Sequence, residues 1–586
     1  MKELSQRTAR ALSLFFMLTL LTPLMAQPEG ATAQYPRGNY LSPMPMPIAL
    51  SGSFGSIRSR HFHSGTDMRT SGVEGEVVRA VEAGHVVRIN VSTTGYGNCI
   101  YVQHAAGVMS VYGHLQAFAP HLEAYVRDQQ YARQKAELEL YPLSGQFPVA
   151  QGDLLGWSGN TGSSGGPHLH FELRLKNGTL PYNSYLSGVT YVDATPPTFR
   201  GLYLYNIDEN NYEGSLRNRR ALTPRYNSSQ KRFYIADTLA LSATSGLGVE
   251  VTDIVNSRSL TCNITILECF LDEERIYHFD LNAISFDETS YADGHVDYAF
   301  RAKTGRRIHL LFQQPGNLFS RYQNRNRGLL TLSAGEYHQV RIRAVDAAGN
   351  AAELHLVVKG SARKAVYKAS GTRIAWQSGG QIATSDYCLS IPAGALFADL
   401  LYQGSATPSK SKAIVSPIYT LHNEEVALRK AATFTILKNA VKDSIPLDKL
   451  YLGHWDAAKK KYAYYGVPTQ TSQGFECHVR DFGRYALMLD TVPPHIVSPQ
   501  WDKDARGQAL PRPYCFVLKI ADKTTAIRRI SSTIDGQWAL WEYEPKTGEI
   551  WHQVDTLRMP TQSEHRLRLI LEDAVGNRAE YTTTFR

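Results

Sequence analysis

Between two glycine-rich turns the chain reads GNTGSSGGPHLHFELR, from Gly159 to Arg174. His168, His170 and Glu172 alternate with Leu169, Phe171 and Leu173, as on a strand with one polar and one apolar face. Upstream, RSRHFHSGTDMRT sets His63 and Asp67 four apart with Gly65 between them. The even spacing predicts one strand face for both, and the glycine disfavours a helix. His61 lies two residues before His63, shares that face and competes with it. Between the two segments, VYGHLQ puts His114 at the mouth of a turn. Imidazole nitrogen and carboxylate oxygen are zinc ligands, and a catalytic zinc keeps one tetrahedral position open for water. His63, Asp67 and one histidine of the 168/170 pair form such a set, which leaves the remaining histidines for proton transfer.

These residues need strands and turns to bring them together. From Ser51 to about Ser187 short alternating runs such as VVRAVEAGHVVRINV, NCIYVQH and GVMSVYGHL are separated by glycine-rich turns. One interruption, from about Pro120 to Ala136, carries Leu122, Tyr125, Val126, Gln129 and Ala132 at helical spacing, and predicts a helical insertion ended before Pro142. Residues 27–50 read as an extended, proline-rich lead-in. Downstream, DATPP (Asp193 to Pro197) and DTVPP (Asp490 to Pro494) each open a β-rich stretch, and DAAGN (Asp346 to Asn350) and DAVGN (Asp573 to Asn577) each close one. That punctuation predicts Ig-like sandwiches over 191–360 and 490–586, with a further β module of open type over 361–489.

The ordered set H-x-x-x-D, Y-x-H-L and G-N-T-G-x-S-x-G-P-H-L-H-F-E resembles the LytM/lysostaphin-type zinc endopeptidases, as do the phrases GYGNCIYVQH and VAQGDLLGWSGNTG. The resemblance covers about residues 51–176 and implies a mainly β fold: a compact antiparallel peptidase domain with a groove over zinc. By that resemblance His63, Asp67 and His170 bind one Zn2+, and His168 and His114 are the catalytic pair; the motif spacing favours His63 over His61. The implied activity is hydrolysis of peptide bonds in peptidoglycan. Some members of the family carry a tyrosine six residues before the first ligand, where this chain has Ile57. Glu172 is a candidate to orient an imidazole, and Arg58 and Arg60 are candidates to touch substrate. Asn39 in the lead-in is a candidate plug for the metal, since some family members carry a blocking amino-terminal segment.

Composition bounds the setting. A chain of 586 residues exceeds a single core and implies about three to five domains. Thirty-three tyrosines against 21 phenylalanines favour β-rich modules. Lys2, Arg7 and Arg10 precede an apolar run from Ala11 to Met25, followed by Ala26, which reads as a secretory signal peptide over residues 1–26. The expected location is periplasm, envelope or outside the cell, with no transmembrane segment in the mature chain. The net charge of +9 is spread along the chain and suits an anionic envelope rather than nucleic acid. The six cysteines include no C-x-x-C pair, which argues against cysteine-ligated zinc, and Cys388 with Cys477 is a possible disulfide. Two other readings compete with a wall endopeptidase: a non-catalytic wall-binding or regulatory protein on the same scaffold, and a secreted zinc protease for glycine-rich proteins. The carboxy-terminal modules are expected to dock envelope partners.

Overall fold

The computed structural model describes residues 35–585 apart from 256–260, 369, 502–514, 554, 556–557 and 559–563. The signal peptide read over residues 1–26 lies outside the described residues, as does the lead-in before Tyr35. The next segment folds as β1 (Leu50–Gly52), β2 (Ile57–Arg58), β3 (His61–Phe62), β4 (Thr66–Arg69), β5 (Val77–Arg79), β6 (Gly84–Val91), β7 (Cys99–His104) and β8 (Met109–Gly113). There follow β9 (Leu115–Phe118), α1 (Pro120–Arg133), β10 (Leu138–Leu140), β11 (Pro148–Val149), β12 (Leu154–Ser158), β13 (His168–Leu175) and β14 (Leu180–Tyr182).

One sheet runs β1-β4-β13-β8-β7-β6-β10, with β11 on β6 and β14 on β13; a second runs β5-β12-β9. The pairings are antiparallel. The alternation of β13 explains why it sits centrally. Leu169, Phe171 and Leu173 are fully buried and share a core with Met68, Tyr112, Val78, Leu115 and Leu155 from both sheets. Each such side chain contributes about 1.5–3 kcal/mol by leaving water, so slipping the strand by one residue would forfeit all three. The opposite face is thereby committed to His168, His170, Glu172 and Arg174.

The expected helix is present as α1. Proline starts it, Gln134 ends it in a left-handed conformation, and Leu122, Val126 and Gln130 form its buried stripe. Its outer side meets the far end of the chain: Tyr131 packs edge-on against Trp538 with ring centroids 5.2 Å apart, Arg127 Nη2 donates to Gln553 Oε1 at 3.2 Å, and Asp128 pairs with Arg558.

Three further β units follow. Residues 198–360 hold a five-stranded and a seven-stranded sheet over a common core that includes Leu202, Val249, Leu267, Ile342 and Leu354. Residues 372–489 hold two five-stranded sheets and a two-stranded ribbon, and residues 495–585 hold two four-stranded sheets packed over Leu518, Ile550, Leu567 and Leu569. The disulfide considered between Cys388 and Cys477 does not form, and both thiols are free. Their strands lie on either side of strand Ala427–Leu437, with Cys388 opposite Thr435 and Cys477 opposite Phe434. Two inter-strand steps are about 9.5 Å, beyond the reach of a disulfide. Among the described residues no helix is long and apolar enough to cross a membrane.

Phe54, Ile57 and Phe62 of the first unit lie in the core of the second, where Phe62 stacks on Phe319 at 5.2 Å. Ile57 is 1% exposed. Ile57→Ala is therefore expected to destabilise the junction between the units by about 2–5 kcal/mol, read as a lowered urea midpoint of the intact chain by tyrosine and tryptophan fluorescence.

Candidate metal centre and its histidines

Three chain segments supply the centre. Asp67 on β4 stands directly opposite His170 on β13, and Gly113 on β8 stands opposite His170 from the other side, so His114 follows at the end of β8. His63 reaches the same place by a route unlike the strand expected for it. The chain leaves β3 at Phe62 and bends through His63, Ser64 and Gly65 before β4 begins. The His63 N–H donates to Ser56 O at 2.8 Å, and the Gly55 N–H donates to His63 O at 2.8 Å. Gly65 is required by space. A Cβ there would lie 2.6 Å from Phe171 O, 2.7 Å from His170 Cε1 and 2.8 Å from Glu172 Cγ.

His63 Nε2, Asp67 Oδ1 and His170 Nδ1 form a triangle with edges of 3.0, 2.9 and 3.1 Å. A tetrahedral zinc site with bonds of about 2.0–2.1 Å has edges of about 3.3 Å, so the triangle matches one face of it to within a few tenths of an ångström. The far nitrogen of each imidazole is committed elsewhere, and this sets the tautomers. His63 Nδ1–H donates to Ser53 O at 2.9 Å, and His170 Nε2–H donates to Glu172 Oε1 at 2.7 Å. Each neutral ring therefore aims a lone pair at the Asp67 oxygen. Such an arrangement calls for a positive charge between the groups, and the donor set of two imidazoles and one carboxylate suits zinc.

Electrostatics agree with that need. Burial opposes ionisation of Asp67, but the surrounding imidazoles in their protonated forms, through the charge of His63 and hydrogen bonds from His168, His170 and His63, hold its carboxyl well below the usual range. Burial also opposes an imidazolium at His170, yet Asp67 and Glu172 push it up to about 9. The site thus holds a proton where a cation fits.

His168 and His114 complete the ring of imidazoles. His168 Nδ1–H donates to Gly166 O at 2.8 Å, and its Nε2 lies 3.4 Å from Asp67 Oδ1. His114 Nδ1–H donates to Thr161 O at 2.8 Å, and its ring centroid is 4.8 Å from that of His168. His114 adopts a left-handed backbone, φ 61°, in which its N–H reaches Tyr96 O at 2.8 Å. Burial, with the charges of His170 and His168, lowers its imidazole to about 3, so it is neutral at neutral pH.

Of the remaining candidates, Glu172 is 1% exposed and holds three donors: His170 Nε2, Ser64 Oγ at 2.8 Å and Arg174 Nε at 2.6 Å. Arg58 Nη2 donates to Asp67 Oδ2 at 2.9 Å, and so touches the carboxylate proposed as ligand. Arg60 does not join the site. It sits in the tight turn between β2 and β3 with φ 63° and pairs with Asp481 of a later module. His61 is exposed and turns its Nδ1 to Ser59 O. Ile57, where some relatives have tyrosine, is sealed into the neighbouring core. Asn39 is exposed, with its carbonyl accepting from Gln151. Sequence reasoning missed Tyr96, Arg174, Ser64 and Thr161. Arg174 continues the alternation of β13 and was open to the same inference as Glu172. Tyr96, whose hydroxyl accepts from Arg174 Nη2 at 3.2 Å, comes from a distant turn with no such signal.

An open groove of about 1160 Å3 runs past Asp67 and His168, walled by the lead-in from Met46 to Ser51 and by Gly165, Gly166 and Pro167. Arg58 and Arg69 give it positive charge. The helix α1 takes no part in this lining.

Comparison with known proteins places this domain. Residues 61–182 match the sequence profile of peptidase family M23, and residues 371–490 that of the Zu5-like domain. The DD-carboxypeptidase/endopeptidase Mpg of Neisseria meningitidis serogroup B is 29% identical over 152 residues, and that of Neisseria gonorrhoeae likewise. The match spans 25% of this chain and 29% of the length of those relatives. Among solved structures, the catalytic domain of lysostaphin from Staphylococcus simulans is 24% identical, covering 24% of this chain and 92% of that one at a TM-score of 0.18. A putative peptidase M23 from Pseudomonas aeruginosa is 25% identical, covering 24% of this chain and 50% of that one at a TM-score of 0.17. The LytM-type resemblance read from the motifs is borne out for this part of the chain.

Two substitutions test the support. Glu172→Gln turns an amide N–H toward His170 or Arg174 and is expected to weaken zinc binding by about 10–100-fold, measured by competition with a chromogenic chelator. Gly65→Ala forces Phe171 or His170 aside and is expected to lower zinc affinity as well, with the far-ultraviolet circular dichroism of the chain unchanged.

Proposed function

We propose that this chain is an exported zinc-dependent endopeptidase that hydrolyses peptide bonds in peptidoglycan stem peptides or cross-links. The observation that carries the reading is the convergence of His63 Nε2, Asp67 Oδ1 and His170 Nδ1, with two further imidazoles beside one open side. The family M23 match and the activity in the names of the Neisseria relatives support it.

His63, Asp67 and His170 would hold the zinc. When bound, zinc supplies a Lewis acid that acidifies water and polarises the scissile carbonyl. The chain's own groups do the rest. His168, with Nδ1–H fixed on Gly166 O, offers Nε2 toward the open side; it takes a proton from the attacking water and returns it to the leaving amine. His114, fixed by Thr161 O and neutral, offers Nε2 as an acceptor that orients the water. A neutral ring in this tautomer cannot donate to an oxyanion. Arg58 steadies Asp67, and Arg58 with Arg69 favours carboxylate-bearing peptides in the groove. The β modules over 191–360 and 490–586 are read as Ig-like sandwiches that dock the enzyme in the cell envelope, outside the cytoplasm.

The mature chain is expected to bind one zinc and to release soluble peptides from purified peptidoglycan, with little action on a glycine-rich polypeptide. His63→Ala and His170→Ala should lose both zinc and hydrolysis. His168→Ala should keep zinc, by elemental analysis, and lose about 10²–10⁴-fold in kcat. Full hydrolysis by His63→Ala would sink the proposal, and zinc uptake without hydrolysis of any wall fragment would favour a binding protein on this scaffold.

A further inference from the structure

The start and stop marks of the two sandwich stretches meet in space. Asp193 of DATPP and Asp346 of DAAGN converge with Asp253 from strand Ser245–Ile254, with carboxylate oxygens within 4.8 Å of one another. Asp490, Asp573 and Asp522 do the same in the last module. The asparagine of each closing mark locks the arrangement. Asn350 Nδ2 donates to Asp346 Oδ2 at 2.9 Å and to Asp193 O at 3.3 Å; Asn577 Nδ2 donates to Asp573 Oδ2 at 2.8 Å and to Asp490 O at 3.1 Å.

The two clusters differ in how their carboxylates are satisfied. In the last module Thr525 Oγ1 lies 3.0 Å from Asp490 Oδ2 and 3.5 Å from Asp522 Oδ1, which also accepts the Thr524 and Thr525 N–H groups. Among the described residues the first cluster has no such hydroxyl. Asp253 is 1% exposed, and its Oδ1 has no hydrogen-bond partner; Asp193 Oδ2 is likewise buried without one. A buried carboxylate oxygen without a donor, facing two more carboxylates, requires a cation or a proton.

We propose that Asp193, Asp253 and Asp346 bind a calcium ion where the peptidase domain joins the second module. The side-chain donors are carboxylate oxygens from three separate segments, which suits a hard cation with a large, irregular oxygen shell. Cys262, paired with Asp253 across the strands, is the nearby soft atom. Its thiol is not among the converging donor atoms, which are all carboxylate oxygens.

The test uses the full mature chain in resin-treated buffer with one equivalent of zinc. Calorimetric titration with CaCl2 should show one calcium per chain, and the unfolding midpoint should rise with CaCl2 concentration. Asp253→Asn should abolish the uptake and the rise, while its calcium-free midpoint equals or exceeds that of the parent because the repulsion is gone. Asp522→Asn should leave the stoichiometry unchanged. No uptake by the parent at about 10 mM CaCl2, above the weak end of extracellular calcium modules, would overturn the proposal in favour of a shared proton. Undiminished uptake by Asp253→Asn, loss of uptake in Asp522→Asn, or an equal response to MgCl2 would overturn it too.

Discussion

The ion pair between Glu172 and Arg174 decides what His170 can do. Taking a carboxylate and a guanidinium out of water costs several kcal/mol per ion unless hydrogen bonds and charge offset it. Glu172 meets that condition with donors on both oxygens, and Arg174 meets it with the Tyr96 hydroxyl and with ring faces at Tyr101 and Phe286, 5.4 and 4.7 Å away. The pair holds the Glu172 carboxyl far below its usual range although burial works the other way. Glu172 is then a pure acceptor for His170 Nε2–H, and Nδ1 is the nitrogen left for the centre. Without Arg174 the buried acid would favour its neutral form, and the orientation of the ring would lose its cause.

Phe286 belongs to the second module, so the support of the centre extends beyond the peptidase domain. The same holds elsewhere. Phe54, Ile57 and Phe62 sit in the neighbouring core, Arg60 is tied to Asp481, and the Asn263 N–H donates to Ser53 Oγ at 2.8 Å. Ser53 is the residue whose carbonyl fixes His63. At the far end, α1 carries the last module, whose Lys546 donates to the carbonyls of Asn160 and Ser164 in the glycine-rich loop before His168. These contacts reach the walls of the centre from two sides. The later modules therefore bear on the geometry of the groove.

The alternation H-L-H-F-E-L-R was legible because strand geometry alone assigns its two faces, and burial of Leu169, Phe171 and Leu173 leaves only one register. Helix α1 was legible for the corresponding reason at helical period. What stayed hidden depended on tertiary approach. His63 reaches Asp67 through a bend that parity does not describe, and Gly65 is explained by the atoms of β13 that press on it. Arg60 looked equivalent to Arg58 in sequence, yet the turn sends it to a module more than 400 residues away. The spacing of Cys388 and Cys477 says nothing of the strand that separates them. DAAGN and DAVGN were read as marks that close their stretches; that each is a turn returning an aspartate to the start of its own module is a property of the folded unit.

The chain thus gathers acidic side chains in two different ways, and donor chemistry separates their consequences. At the peptidase centre a single carboxylate oxygen faces three imidazoles whose protons are drawn off to Ser53, Glu172 and Gly166, so soft nitrogen lone pairs dominate. At the module junction three carboxylates face one another within 4.8 Å, and two full charges at that limit would repel by about 3.5 kcal/mol at an effective dielectric near 20. That repulsion is of the same order as the burial energy of a large side chain. In the last module the hydroxyl of Thr525 and nearby N–H groups offset it, whereas among the described residues no donor reaches Asp253 Oδ1. A junction built this way is strained without a positive charge, and the strain falls on strand Ser245–Ile254, whose partner Cys262 leads directly to Asn263, the residue bonded to Ser53.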